Sequence, residues 1–303
     1  MTDQRLESRV SRELCRRKLP DGGWSFFGST QVSIEVTCLA SMAMNSFAID
    51  AVIRSIAALL RSQTPEGSWP AFVGDTEGSW VTALAISTLN IQNDPSDARE
   101  RAFRWMLETR GREGHWLWKW KFKTADRQVN FDPEKYGWPW TPGANSWVIP
   151  TAFAIIALKQ FTVCDRTAAS EKRVRRAVGM LLDRACRGGG WNAGNSIVYG
   201  VPLVPHIEPT ALSLMALQDE PKTPFIQSSV EWLKVSSSGC DSIESLSWSI
   251  LALFIFQEAI AELQTRLALL MASPASIANN ATLALGLLAL RCGKMIHPFE
   301  VLR

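Results

Sequence analysis

The residues best suited to chemistry stand at the start of one apolar run, His206-Ile-Glu208-Pro-Thr210-Ala-Leu. A carboxyl group carried into an apolar setting keeps its proton to higher pH and becomes usable as a general acid. An imidazole two residues away can orient or tune it. A second glutamate, Glu35, takes the same place in Ser33-Ile-Glu35-Val-Thr37. Two carboxylates facing each other across one mouth, about 5–10 Å apart, would also suit glycoside hydrolysis. The competing reading is structural: an acidic side chain in the first helical turn meets unpaired N–H groups and the helix dipole.

Both glutamates belong to a pattern repeated along the chain. Six runs share a polar start and a nearly unbroken apolar continuation: Ser33 to Met44, Gly78 to Leu89, Asn145 to Leu158, His206 to Leu217, Ser242 to Leu253 and Asn279 to Leu290. Between them lie stretches with one apolar face and many charges, such as Ala51 to Gln63 and Glu171 to Cys186. A helix apolar all round must be buried, and one with an apolar stripe covers it. Alternation of the two, with turns at Gly67-Ser-Trp69 and Gly188-Gly-Gly-Trp191, predicts an all-α fold. We expect a single α/α toroid, an α6/α6 barrel of about six helical hairpins spanning residues 1–303 as one domain. The polar starts of the inner helices then line a common mouth, where function is expected.

Aligning the six runs on Thr37, Thr82, Thr151, Thr210, Ser247 and Thr282 puts Glu35, Trp80, Ile149, Glu208, Ser245 and Asn280 at one equivalent position. Glu35 and Glu208 lie three repeats apart and would face each other across the ring. Asp75, with Glu77, forms another acidic pair before the second run and is a candidate substrate contact. Asp132, Glu134, Asp241 and Glu244 read as solvated loop charges.

One connection, residues 111–144, is too long for a simple turn. In it Trp116, Trp118, Trp120 and Phe122 alternate with Leu117, Lys119, Lys121 and Lys123, a period of two that predicts an extended segment. Its readings are a lid packed on its own aromatics, a hydrophobic ceiling with lysines near a diphosphate, or a patch that contacts a membrane surface.

The net charge of +3 gives no electrostatic case for nucleic acid. Thirteen Trp against two Tyr favours aromatic-lined cavities or lids. The six cysteines form no CxxC and no zinc-ligand cluster, so reduced buried thiols and no metal are expected. The charged N-terminus is no signal peptide and no run is long enough to span a bilayer, so a cytoplasmic protein, peripheral at most, is expected.

Alternating helices, Gly-Trp turns and the Gln63-Thr-Pro-Glu-Gly67-Ser-Trp69 motif, with Arg54 and Leu60 upstream, resemble the terpenoid cyclase and prenyltransferase superfamily. The likeness is to one barrel of squalene–hopene cyclase. Lys18 and Arg110 take the glutamine place before Trp24 and Trp116. The resemblance implies a class II reaction, the protonation of a prenyl chain followed by cyclisation or isomerisation, with no cofactor. It puts Glu208, or Glu35, where such enzymes keep the acid, with His206 as partner and Trp80, Trp138, Trp140 and Trp147 as the cavity wall. The family's Asp-x-Asp-Asp stretch is absent, as are the class I Asp-Asp-x-x-Asp motif and the ligand set of the zinc-dependent protein prenyltransferases; Cys240-Asp241 is the only near match. A hydrophobic prenyl or lipid-like molecule is the implied partner, with room for a homodimer or a second barrel. The alternatives are a non-catalytic toroid that binds a lipid or protein, and a carbohydrate-active enzyme on the same scaffold.

Overall fold

Runs that are apolar on every side fold as helices and withdraw from water. The computed structural model describes residues 2–45, 47–124, 131–161, 167–273 and 279–301. In chain order its helices are α1 (Thr2–Arg17), α2 (Ile34–Met44), α3 (Ile49–Arg61), α4 (Val81–Ile91), α5 (Ala98–Glu108), α6 (Trp116–Thr124), α7 (Val148–Phe161), α8 (Ala168–Asp183), α9 (Ile207–Ala216), α10 (Pro224–Ser238), α11 (Ile243–Ile255), α12 (Ala261–Ala272) and α13 (Asn280–Leu290).

The six apolar helices pack in a closed ring, α2–α4–α7–α9–α11–α13 and back to α2. Each has one amphipathic helix outside it: α3 on α2, α5 on α4, α8 on α7, α10 on α9, α12 on α11 and α1 on α13. This is the expected all-α toroid.

The ring is sealed at one rim by backbone hydrogen bonds from the unpaired first-turn N–H groups. Ile34 N–H donates to Ala71 O (3.1 Å), Trp80 N–H to Trp140 O (3.0 Å) and Val148 N–H to Ala193 O (3.0 Å). Asn280 closes the circle: its N–H donates to Phe26 O (2.9 Å) and its side-chain amide to Ser25 O (2.8 Å), while Arg17 donates to its Oδ1.

A tryptophan fixes each of four hairpins. The backbone N–H of Trp24, Trp69, Trp138 and Trp191 donates to the hydroxyl of Thr37, Thr82, Thr151 and Thr210 on the inner helix. The indole N–H of each reaches back to the outer helix, to the carbonyls of Leu14, Leu59, Met106 and Leu181. All four rings are buried. Glycine precedes Trp138 because a Cβ on Gly137 would lie 2.0 Å from Thr151 Oγ1. In the motif at Gln63, Gly67 has φ +96° and presses on the backbone of Arg101, while the Gln63 amide donates to Gly67 O (2.9 Å) and Ala98 O (2.8 Å).

Three expectations change. The tryptophan of the third hairpin is Trp138 and not Trp116, because the intervening segment is looped out. That segment is not extended over residues 116–123; it forms α6, in which Lys119 and Lys123, one turn apart, both bind Glu134 (2.6 and 3.0 Å). The loop before α9 also carries a hairpin, β1 (Ile197–Val198) paired antiparallel with β2 (Val201–Pro202). Of the cysteines, Cys38, Cys186 and Cys292 are buried free thiols, Cys15 is exposed, Cys240 is partly exposed, and Cys164 lies outside the described residues. Among the described residues no helix is long and apolar enough to cross a membrane.

Thr82→Val keeps the shape of the inner helix but strands the buried Trp69 N–H. The expected cost is about 1–3 kcal/mol. Among the described residues Ser247 bonds only the Ile243 carbonyl of its own helix, so Ser247→Ala should cost less than about 1 kcal/mol. Urea denaturation midpoints measure both; equal losses would contradict the role given to the Trp–Thr bond.

Candidate active site

The first turns of the inner helices meet at the sealed rim, and their second residues set its chemistry. Ser33 caps α2, His206 stands at the cap position of α9 and Ser242 caps α11. Two residues on from each is a glutamate: Glu35, Glu208 and Glu244. On the same count, Thr82 follows the cap Trp80 on α4 and Ala281 follows the cap Asn279 on α13, and Ile149 is the second residue of α7. Counted from the cap, the threonine alignment shifts by one residue for α11 and α13, where Ser245 and Asn280 give way to Glu244 and Ala281, and by two for α4, where Trp80 is the cap itself. Ser-Ile-Glu, His-Ile-Glu and Ser-Ile-Glu stand in the three runs, so the cap residue, and not the hydroxyl, was the signal for Glu244.

Around the ring the mouth is thus divided. Glu208 and Glu244 are on neighbouring helices, and Glu35 is on the helix opposite that of Glu208. Trp80 and Ile149 occupy the other side. Glu35 is partly buried, and burial pushes its carboxyl up to about 7, with the charges of Glu208 and then Glu244 adding to the effect. Burial and then Glu244 also raise Glu208. Among the described residues neither Glu35 nor Glu208 has a hydrogen bond or ion pair to hold it ionised, whereas Glu244 accepts from Thr282 Oγ1 at 2.7 Å. No three His, Cys, Asp or Glu side chains among the described residues converge closely enough to hold a metal ion.

Below the carboxyl groups the barrel is filled with rings. Trp80 meets Trp140 edge-on (5.3 Å) and Phe153 tilted (5.2 Å). Phe153 of α7 then touches Trp248 of α11 at 5.7 Å. Those helices both flank α9 and are not neighbours in the ring, so the contact lies inside the barrel. Phe299 completes the column, 5.9 Å from Phe153 and 5.6 Å from Trp248. It comes from the C-terminal segment, which the side chains of Gln160 and Gln218 hold through the Pro298 and Phe299 carbonyls. Cys38, one turn below Glu35, is a buried thiol pushed up to about 12, too basic to act as a nucleophile.

The other expected site residues are placed as follows. His206 is exposed, and its imidazole makes no hydrogen bond with Glu208 among the described residues. Trp138 is committed to the framework, with Arg173 stacked 3.5 Å over its ring, and is not part of the axial column. Trp140 is at the mouth beside Trp80. Trp147 stands half-exposed at the start of α7, against Gly194. Asp75 is exposed in a surface groove of about 610 Å³ with Arg61, Glu66 and Val73, outside the barrel wall. Glu244, read from sequence as a solvated loop charge, is exposed but stands in the first turn of α11, and Phe153, Trp248 and Phe299 were not singled out from sequence.

A partly buried acid at the mouth of a helical toroid defines a class of scaffold before it defines a reaction. No family model matches the chain, and no curated protein matches it in sequence. Solved structures do share the fold. The type II terpene cyclase MstE from Scytonema, in its apo form, is 14% identical, with 90% of this chain and 79% of that one covered and a TM-score of 0.57. A variant of it in complex with geranylgeranyl dihydroxybenzoate gives 14%, 89%, 77% and 0.59. An alpha-amylase from Clostridium perfringens is 9% identical over 96% of this chain and 97% of its own, with a TM-score of 0.64. These likenesses establish a terpene cyclase-like toroid fold, and the named neighbours are enzymes.

A carboxyl raised in the folded state stabilises the protein only while protonated. For Glu35 that contribution is complete below the ordinary carboxylate range and lost as pH rises through about 7. Glu35→Gln should therefore be more stable than the parent at about pH 8.5, by on the order of 2–3 kcal/mol, and nearly equal to it at about pH 4.5. Denaturation at the two pH values tests this; a constant difference would show that the carboxyl is not raised.

Proposed function

We propose that the chain is a proton-initiated cyclase or isomerase of a prenyl substrate, working as one toroid, with Glu35 as the proton donor. What supports the proposal is a partly buried carboxyl, pushed up to about 7 by burial and by Glu208 and Glu244, on the inner ring of a toroid whose interior holds aromatic rings. Sequence favoured Glu208 as donor, but Glu35 has the larger upward shift, and the opposing charge of Glu208 contributes to it. Glu208 and Glu244 then act as the charges that keep Glu35 protonated.

In this reading the Glu35 carboxyl transfers its proton to a carbon–carbon double bond, leaving a carboxylate and a tertiary carbocation. Trp80, Phe153 and Trp248 offer π faces that stabilise the cation without capturing it. Attack by a second double bond closes a ring. Loss of a proton to the Glu208 carboxylate ends the sequence, so the net change is an isomerisation and any diphosphate on the substrate is retained. His206, exposed and not bonded to Glu208, lies outside this proton path. Trp140 and Trp147 guide entry at the rim.

A second reading has its own support. Glu35 and Glu208 stand on opposite helices of the ring, and an alpha-amylase shares the toroid. In it Glu35 protonates a glycosidic oxygen and Glu208 acts from the other face. The rings favour the first reading, because π faces suit a carbocation better than a sugar.

Incubation with farnesyl, geranylgeranyl and squalene-type substrates, beside a panel of α-glucans, separates the two. We expect cyclised prenyl product, with kcat/KM falling as pH rises through about 7. Glu35→Gln should lose at least ~100-fold in kcat. Glu208→Gln removes a charge that raises Glu35, so the alkaline limb should move to lower pH. Unchanged turnover in Glu35→Gln would refute the donor assignment, and turnover of glucans alone would favour the second reading.

A further inference from the structure

On the outside of the barrel, the outer helices α1 and α12 lie side by side and leave between them a groove of about 360 Å³. Its α12 wall is Thr265, Ala268, Leu269 and Ala272, which are spaced three and four residues apart and so share one face. Its α1 wall is Leu6, flanked by Arg5 and Arg9. Leu6 and Ala268 pack against the core and form the floor, while Leu269 is 71% exposed although it lines the groove. A single exposed leucine means little by itself. This one borders an apolar floor, in a groove whose volume suits a small molecule.

The charges of the groove have one sign. Among the described residues no carboxylate lines it, and the Thr265 hydroxyl is committed to the Ala261 carbonyl (2.9 Å). Arg5 is exposed and makes no hydrogen bond or ion pair among the described residues. Arg9, one turn on, reaches across to the other wall, where its Nη2 donates to Met271 O (2.9 Å) in the last turn of α12. A carbonyl satisfies the N–H group without cancelling the charge of the guanidinium. Two guanidinium groups one turn apart, beside an apolar trough, complement an oxyanion head joined to a hydrocarbon chain. A neutral chain would leave the charges unanswered, and a free anion would leave Leu6, Ala268 and Leu269 facing water.

We infer that the α1–α12 groove binds a single-chain amphiphile with a carboxylate or phosphate head, the head on Arg5 and Arg9 and the chain along Leu6, Ala268 and Leu269. Because α1 covers α13, the helix that closes the ring on α2, a bound molecule braces the barrel where the beginning of the chain meets its end. The inference rests on the groove and is independent of the catalytic reading.

Isothermal titration calorimetry of the full chain with dodecanoate, kept below its micellar concentration, tests it beside dodecyl phosphate, dodecanol and butanoate. One site should take dodecanoate and dodecyl phosphate at least ~tenfold more tightly than dodecanol or butanoate. The chain with dodecanoate bound should melt at a higher temperature than the free chain. Arg5→Gln, which breaks no bond of the fold among the described residues, should weaken dodecanoate at least ~fivefold. Leu269→Asp, which puts a carboxylate into the groove, should weaken it at least as much. Val235→Asp, at an exposed position of the outer helix α10, should change nothing. No saturable binding to the parent chain, or dodecanol bound as tightly as dodecanoate, would overturn the inference. Full affinity in both Arg5→Gln and Leu269→Asp would also overturn it, because the chain would then bind elsewhere. Vesicles containing phosphatidylglycerol should leave the dodecanoate affinity unaltered; competition from them would make a bilayer the occupant. A dimer in light scattering that Leu269→Asp dissociates would make a second copy the occupant, and either result would overturn the inference.

Discussion

A buried hydrogen bond from a tryptophan backbone N–H to a threonine hydroxyl sets the register of this barrel. It fastens the turn after an outer helix to the first turn of the next inner helix, while the indole N–H fastens the same residue to the outer helix. Made at Trp24, Trp69, Trp138 and Trp191, it holds four of the six inner helices, α2, α4, α7 and α9, at a common height. Every later feature of the site depends on that height. Because the starts are level, residues at one helical position share one plane, and because the ring is closed, that plane is a mouth.

Cap and acid make opposite demands on a glutamate at the mouth. An acidic residue in a first turn is ordinarily favoured by the helix dipole, by about 0.3–1 kcal/mol, which lowers its pKa by less than one unit. Glu35 goes the other way, to about 7. Burial and two further carboxylates outweigh the dipole, so helix capping alone does not account for the residue. The aromatic column supplies the complementary half: a proton given at its head would leave a cation next to π faces, with no nucleophile among the rings.

Much of the fold was legible in the sequence because inner runs that are apolar on every side can be satisfied only inside a ring of covering helices. Glu35 and Glu208 were legible for the same reason, as charges at the threshold of such runs. The axial rings were not. In a helix without a polar face, periodicity does not distinguish the side toward the barrel axis from the side toward its neighbours, so Phe153 and Trp248 gave no signal, and Phe299 arrives from the chain end. Trp138 was misplaced because its partner carbonyl, Met106, is far behind it, whereas Leu14, Leu59 and Leu181 each lie one short turn before their tryptophans. For α6 the same letters satisfy both a period of two and one-turn pairs, and Glu134, further along the chain, decides for the helix.

The proposed chemistry depends on Glu35 keeping its proton near neutral pH. Carbon-13 NMR of side-chain-labelled glutamate, followed through pH in the intact chain, reads it without any substrate. The Glu35 carboxyl carbon should titrate with a midpoint near 7, and the midpoint should fall when Glu208 and Glu244 are both changed to glutamine. A midpoint in the ordinary carboxylate range, unmoved by those changes, would make Glu35 a helix cap and remove the proposed acid.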